Sequence, residues 1–139
     1  FGCIKLVPDT FYGPYFELAQ KETFDNDTLF TEKLYELEIL KAEDAPEELK
    51  FFKQLFREML TLFTAPFHEE HFEFGSTEFW SKITDLGQRY ASDDQIRKMN
   101  GNRGSKHFLY MNRTFFGLFN LLHDLKATVA VNHFRKYMR

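Results

Sequence analysis

One run of residues restricts the fold of this chain more than any other. Between Asp44 and Pro66, large apolar side chains recur every three or four residues, which is the spacing of one face of an α-helix. They are Phe52, Leu55, Phe56, Met59 and Phe63. Asp44 and Pro46 stand where a cap and a first-turn residue are expected, and Pro66 stands where a helix stops. A helix with one broad apolar face needs covering elements, so we expect a packed helical domain.

Similar patterns predict further helices on both sides of this one. A helix capped by Asp27 carries an apolar stripe of the same spacing. That stripe consists of Phe30, Leu34, Leu37 and Leu40. Ser76 can cap a helix that runs to Leu86, and Ser92 with Gln95 forms a capping-box pattern for a short helix after it.

The two ends of the chain are predicted to differ from each other. Tyr12, Tyr15 and Phe16 indicate an N-terminal helix whose first turn accommodates Pro14. Before it, residues 3–7 have the pattern of an extended segment. Residues 100–105 form a turn-rich loop, and a last helix from residue 132 reaches the end of the chain. The sequence thus predicts one all-α unit over residues 1–139, with a short extended N-terminal stub at residues 1–8.

Residues 107–126 form a helix in which apolar side chains cover more than one face, a pattern typical of a central, buried helix. Its polar side chains align along one side, as Arg113, Gly117, Asn120 and Asp124. A buried guanidinium is costly without partners, so we expect Arg113 to pair with a carboxylate or with backbone carbonyls of another segment. Gly117 would then allow close approach on the same face.

Composition excludes several classes of function. The net charge of −3 provides no basic surface for nucleic acid, and no apolar run has the length of a membrane span. The single cysteine, Cys3, allows no internal disulfide and is read as a small buried hydrophobe. The outstanding feature is 18 Phe beside six Tyr and one Trp, a large load of rigid apolar surface.

Few residue groups have the pattern of a chemical site. His68 and His71, in the run HEEH, are ligand types that suit zinc, but a solvated loop after Pro66 is the preferred interpretation, and we predict no metal site. The run GNRGSK lacks the spacing of a phosphate-binding loop and is read as a helix connection. His107, His123 and His133 have no nucleophile nearby in sequence and are read as ordinary polar positions.

Three stretches, in order, resemble the UbiB/AarF family of atypical protein-kinase-like proteins. FGCIK resembles the segment that follows the metal-binding aspartate of the Asp-Phe-Gly motif. HFEFGSTEFWSKITDL resembles the Phe-x-Phe-Gly turn and helix of the family, and HFLYMNRTFFGLFNLLHDLKA resembles its late helix, with Arg113 and Gly117 at the characteristic Arg and Gly positions. The resemblance covers essentially the whole chain.

The resemblance implies that residues 1–139 are the C-terminal helical part of a kinase-like C-lobe. Phe1 and Gly2 would be the last two residues of the Asp-Phe-Gly motif, with Phe1 inserted in an apolar pocket. The groups that hold ATP and Mg²⁺ would precede Phe1, so we expect no catalytic residue in this chain and no cofactor bound by it alone. Arg113 and Gly117 would have structural roles.

The resemblance also implies an intact protein that is an ATP-binding kinase or ATPase linked to ubiquinone or isoprenoid-lipid metabolism. The upstream kinase-like lobe would be the first partner, and an isoprenoid lipid or a membrane surface a further one. The expected location is the cytoplasm, with membrane association of the intact protein left open. Two alternatives stand beside this interpretation. One is a free-standing all-α domain that binds a protein or a lipid, and the other is a small metalloprotein that uses His68 and His71.

Overall fold

Helices form most of the chain in a computed structural model, which describes residues 4–94, 96–98, 103–104 and 106–133. The α-helices are α1 Asp9–Glu17, α2 Lys21–Phe24, α3 Asp27–Glu36, α4 Pro46–Thr64, α5 Thr77–Ser92 and α6 Lys106–Asp124. A 3-10 helix follows α4 at Ala65–Phe67, and β1 Phe72–Glu73 pairs with β2 Thr128–Val129. The prediction of an all-α protein is confirmed, with this one small sheet as an addition.

Helix α4 supplies the centre of the core. All five side chains of the predicted stripe are buried, and Leu60 is buried beside them. Ala45 occupies the N-cap position, and Glu48 closes the first turn by accepting a hydrogen bond from the Ala45 N–H at 3.1 Å. The prediction that Asp44 caps this helix is therefore wrong, because its carboxylate is engaged by Arg103.

The four side chains of the predicted α3 stripe, Phe30, Leu34, Leu37 and Leu40, are buried, but the helix ends at Glu36, so Leu37 and Leu40 reach the core from the turn after it. The cap, however, is Asn26 rather than Asp27. Asn26 Oδ1 accepts from the N–H groups of Thr28 and Leu29 at 3.1 and 3.2 Å. Asp27 is the first residue of the helix, where its carboxylate is free to bind Lys53 of α4 at 2.7 Å.

The N-terminal helix starts earlier than predicted. Helix α1 begins at Asp9, so Pro14 lies beyond the first turn, and the expected placement of that proline is wrong. Burial of Phe11 and Tyr15 in the core offsets the loss of a backbone N–H at Pro14. Residues 4–8 form neither helix nor strand, while residues 1–3, including Phe1, Gly2 and Cys3, lie outside the described residues.

Helix α5 begins as predicted, since Ser76 Oγ accepts from the Phe79 N–H at 3.4 Å. The predicted capping box at its other end is wrong. Ser92 is the last residue of α5 and donates to the Gln88 carbonyl, whereas Asp93 Oδ1 accepts from the Ile96 N–H at 3.2 Å. Gln95, most of the loop at 100–105 and the end of the predicted last helix lie outside the described residues.

The short sheet connects the start of α5 with the end of α6. Phe72 pairs with Val129 and Glu73 with Thr128, and the Phe74 N–H donates to the Ala127 carbonyl at 2.9 Å. Phe72 and Phe74 are buried. A Cβ at Gly75 would lie 3.1 Å from the Cα of Lys126, closer than most side chains approach a backbone, so this position favours glycine.

Several phenylalanine side chains form one continuous aromatic cluster. The Phe63 ring of α4 stacks on Phe115 at 5.2 Å and meets the edge of Phe116 at 5.1 Å. Phe119 of α6 contacts Phe74 at 5.3 Å and Phe79 at 5.8 Å. The cluster therefore joins α4, α5, α6 and the turn after β1.

We predict that Gly75→Ala destabilises the protein by about 1 to 3 kcal/mol, because the new methyl group would press on backbone atoms that cannot rotate away. The matched control is Gly87→Ala inside α5, where the nearest atom to a new Cβ is 3.8 Å away. That change should stabilise the helix by up to about 1 kcal/mol. Urea titration of both variants provides the comparison, and equal effects would contradict the close approach at Gly75.

Candidate interaction surface

Helix α6 is buried on one side only, so the prediction of a central, buried helix is wrong. Phe108, Asn112 and Phe119 face the core. Five other large apolar side chains of α6 and the residue after it are exposed by 42 to 67 %. They are Leu109, Tyr110, Leu118, Leu121 and Leu125. The described residues include no element that covers them.

Most of these side chains share one face, which we call the α6 face. Apart from the adjacent Gly117 and Leu118, its members recur every three or four residues, so they follow one another along the helix axis. They are Tyr110, Thr114, Gly117, Leu118, Leu121 and Leu125. At a rise of about 1.5 Å per residue, the α6 face is about 22 Å long.

The prediction that Arg113 is desolvated and paired is wrong, because its side chain is exposed at the edge of the α6 face. Gly117, which was predicted to give room for close approach, is exposed within that face. Arg113 forms no ion pair with any residue that the structure describes. A Cβ added at Gly117 would meet nothing within 4 Å. The two residues are thus available at the edge of an open surface.

The first described residues of the chain adjoin the N-terminal half of α6. Lys5 Nζ lies 5.3 Å from the centroid of the Tyr110 ring, and Val7 packs against the core. Ile4 and Leu6, on either side of Lys5, are 81 and 86 % exposed. This segment therefore adds exposed apolar side chains near the beginning of α6.

A buried ion pair fixes the loop before α6, and sequence reasoning did not predict it. Both terminal nitrogens of Arg103 donate to the carboxylate of Asp44, whose side chain is 2 % exposed. Arg103 also donates to the Ile39 carbonyl at 3.1 Å and lies 4.3 Å from the centroid of the Phe52 ring. The next residue, Gly104, has φ of +71° and donates its N–H to the Glu38 carbonyl at 2.9 Å.

The charges of this pair change the titration of both groups. Hydrogen bonds from Arg103 lower the pKa of Asp44, and a further hydrogen bond from the Lys41 N–H acts in the same direction. The same contact raises the pKa of Arg103. No local sequence pattern pairs residues 59 positions apart. The only available indication of the pair is that a buried carboxylate, here Asp44, needs a counter-charge.

Two open clefts of about 340 Å³ each lie beside this ion pair. Both acidic and basic side chains line each cleft, including Glu38 and Lys41 in one and Glu48 and Lys98 in the other. A cleft that selects a phosphate or a cation is lined by charges of one sign, and neither of these clefts is.

The histidines singled out in the sequence do not converge. His68 and His71 are exposed in the loop after the 3-10 helix. His123 has a structural place, because its ring stacks on Trp80 at 4.5 Å and its Nδ1 lies 3.0 Å from the Phe74 carbonyl oxygen. Burial lowers the pKa of His107. Within the described part of the chain, no group of three or more His, Cys, Asp and Glu side chains is arranged to hold a metal ion.

One polar cluster lies inside the core. The Tyr90 hydroxyl donates to Met59 Sδ at 3.1 Å, and Asn112 Nδ2 donates to the same sulfur at 3.5 Å. Burial raises the pKa of Tyr90 and of the neighbouring Tyr15, so both are neutral phenols at physiological pH. This cluster packs against the core.

Comparison with known proteins adds no assignment: no family model, no curated protein and no solved structure matches the chain. Among the described helices, none has the length and apolar character needed to cross a bilayer. The observations that bear on function are therefore the α6 face and the arrangement of the three motif stretches.

We predict that Arg103→Met destabilises the protein by about 3 kcal/mol or more, because it leaves a buried carboxylate without its counter-charge. The matched control is Lys82→Met, which removes the exposed i,i+4 partner of Glu78. That change should cost less than about 1 kcal/mol. Denaturant titration distinguishes the two, and a loss below about 1 kcal/mol for Arg103→Met would contradict a buried pair.

We also predict an acid-dependent contribution from Asp44. Its folded pKa lies below the ordinary value of 3.8, so the stabilisation is complete above that value and is lost as the pH falls through the folded pKa. The free energy of unfolding of the wild type minus that of Asp44→Asn should be constant from about pH 7 to about pH 5 and should shrink below about pH 4. An unchanged difference at acid pH would contradict the prediction.

Proposed function

We propose that the chain is the C-terminal helical portion of an atypical ATP-binding kinase or ATPase of the UbiB/AarF type. The support comes from the order of the three motif stretches and from the way the second and third meet. The Phe-x-Phe-Gly turn, Phe72 to Gly75, packs directly on the end of the late helix, where Gly75 approaches the backbone of Lys126. Phe74 contacts Phe119, and Trp80 stacks on His123.

These contacts are the observation that carries the proposal. Two stretches that resemble one family, residues 71–86 and 107–127, pack on each other, and the Phe74 N–H of one donates to the Ala127 carbonyl of the other. A chance resemblance in two unrelated segments would not require them to meet. The glycine of the motif also has a physical reason, since any side chain at position 75 would press on Lys126.

In this proposal the chain supports an ATP site that other residues build. Phosphoryl transfer depends on positioning and on neutralising charge, through a lysine, a catalytic aspartate and the side chains that hold Mg²⁺. In the intact protein these groups would precede Phe1, and ATP and Mg²⁺ would be its cofactors. The upstream lobe would continue from the segment that contains Ile4 and Leu6, whose exposed side chains provide apolar surface for it.

A second candidate function is an all-α domain that binds another macromolecule by itself. The specific observation in its favour is the α6 face, with Leu118, Leu121 and Leu125 exposed by 49, 55 and 67 %. A monomeric soluble protein rarely exposes a continuous apolar strip without a use for it. An isoprenoid lipid or a membrane surface stays a proposed partner of the intact kinase-like protein.

The test uses the longer protein that this proposal requires. The residue before Phe1 should be Asp, and its replacement by Asn should abolish Mg²⁺-dependent ATP turnover while circular dichroism and the melting temperature stay close to the wild type. The matched variant is His71→Gln, an exposed position that should leave turnover unchanged. Full turnover in the Asn variant, or a residue other than an acid before Phe1, would contradict the proposal.

A further inference from the structure

We propose that the α6 face is an interface with a second copy of this chain, in which the two α6 helices pack antiparallel. The proposal rests on the geometry of α6 alone and is independent of the kinase-like function. It accounts for the exposure of a continuous apolar strip and for the position of Arg113 and Gly117 at its edge.

The strip is complementary to its own reverse. If two α6 helices lie antiparallel with the two-fold axis between residues 117 and 118, each large side chain meets a partner on the other helix. Thr114 and Leu121, near the middle of the strip, then lie opposite each other. Beside the axis, Gly117 of one copy faces Gly117 of the other along the Arg113 edge, and Leu118 faces Leu118 along the other edge.

The charges select the antiparallel direction. With about 100° between successive residues, Lys106, Arg113 and Asp124 lie along the same edge of the strip. In an antiparallel pair the same edges of the two helices face each other, so Arg113 of each copy comes close to Asp124 of the other. A parallel pair would instead place this edge against the opposite one, where half-buried Met111 and Leu122 provide no counter-charge.

Gly117 gives the helices room to approach at the proposed axis. A Cβ at this position would meet no atom within 4 Å, so the backbone is open to a neighbour. A glycine in the interior of an exposed helix costs about 1 kcal/mol relative to alanine. Close approach of the two Gly117 backbones, with Leu118 packed on Leu118 along the other edge, offsets that cost.

A second copy fits this surface better than an unrelated partner. Reversing the helix brings Arg113 of each copy beside Asp124 of the other, so the same ion pair forms twice about the axis, as in an isologous interface. The strip is about 22 Å long and one helix wide, smaller than a standard stable interface of about 800 Å² per partner. The expected dimer is therefore weak and depends on concentration.

Analytical ultracentrifugation of the 139-residue chain tests the proposal. The wild type should pass from monomer to dimer as concentration rises through the micromolar range, and Leu121→Glu should raise the dissociation constant at least about tenfold. The matched control is Leu29→Glu, an exposed apolar residue of α3, which should leave the constant unchanged. Circular dichroism verifies that both variants fold.

Charge-reversal variants test the antiparallel arrangement directly. Arg113→Glu and Asp124→Arg should each weaken the dimer, because each brings like charges together. The double variant should restore wild-type affinity within about threefold, since the pair is re-formed with its signs exchanged. In a Cys3→Ser background, Leu118→Cys should form a disulfide-linked dimer, because position 118 lies beside the proposed axis.

The alternatives give different results. A chain that is monomeric at every concentration overturns the proposal, as does a dimer that neither Leu121→Glu nor Arg113→Glu weakens. Failure of the double variant to recover would refute the antiparallel arrangement. Binding of a monomeric chain to anionic vesicles, lost in Leu121→Glu, would assign the α6 face to a lipid surface instead. None of these results alters the ATP turnover by which the kinase-like function is tested.

Discussion

The contact of Phe63 with α6 is the interaction on which the rest of the structure depends. Its ring is buried against Phe115, Phe116 and Phe119, which lie on the same side of α6. Rigid rings bury a large area at low entropic cost, and aromatic pairs add attraction beyond that area. Once α4 and α6 are held in this way, the end of α6 is placed where β2 can pair with β1, and α5 follows from that turn.

The same contact explains the open side of α6. Helix α6 packs on α4, α5 and the turn after β1 with one side only, and its other side is free unless further elements reach it. The Arg103 and Asp44 pair anchors the chain just before α6, and the sheet anchors it just after, so both ends are fixed while the strip from Tyr110 to Leu125 is left exposed. The exposed α6 face is thus a consequence of how the core is packed.

The buried stripes of α3 and α4 and the cap at Ser76 could be predicted from the sequence, because local periodicity and local hydrogen bonds determine them. The open side of α6 could not be predicted, because the spacing of apolar residues is the same whether they pack on the core or lie on an exposed surface. The Arg103 and Asp44 pair depends on a contact between distant residues. Arg113 was misplaced because apolar neighbours in sequence do not imply apolar neighbours in space.

The central claim is that α6 has one covered side and one open side, and hydroxyl-radical footprinting with mass spectrometry tests it most directly. In dilute solution, Leu121 and Leu125 should be oxidised readily, whereas Phe115, Phe119 and Phe63 should be protected. Raising the protein concentration should then protect Leu121 while Leu29 of α3 stays reactive. Equal protection of Leu121 and Phe119 in dilute solution would contradict the account, because α6 would then be enclosed on both sides.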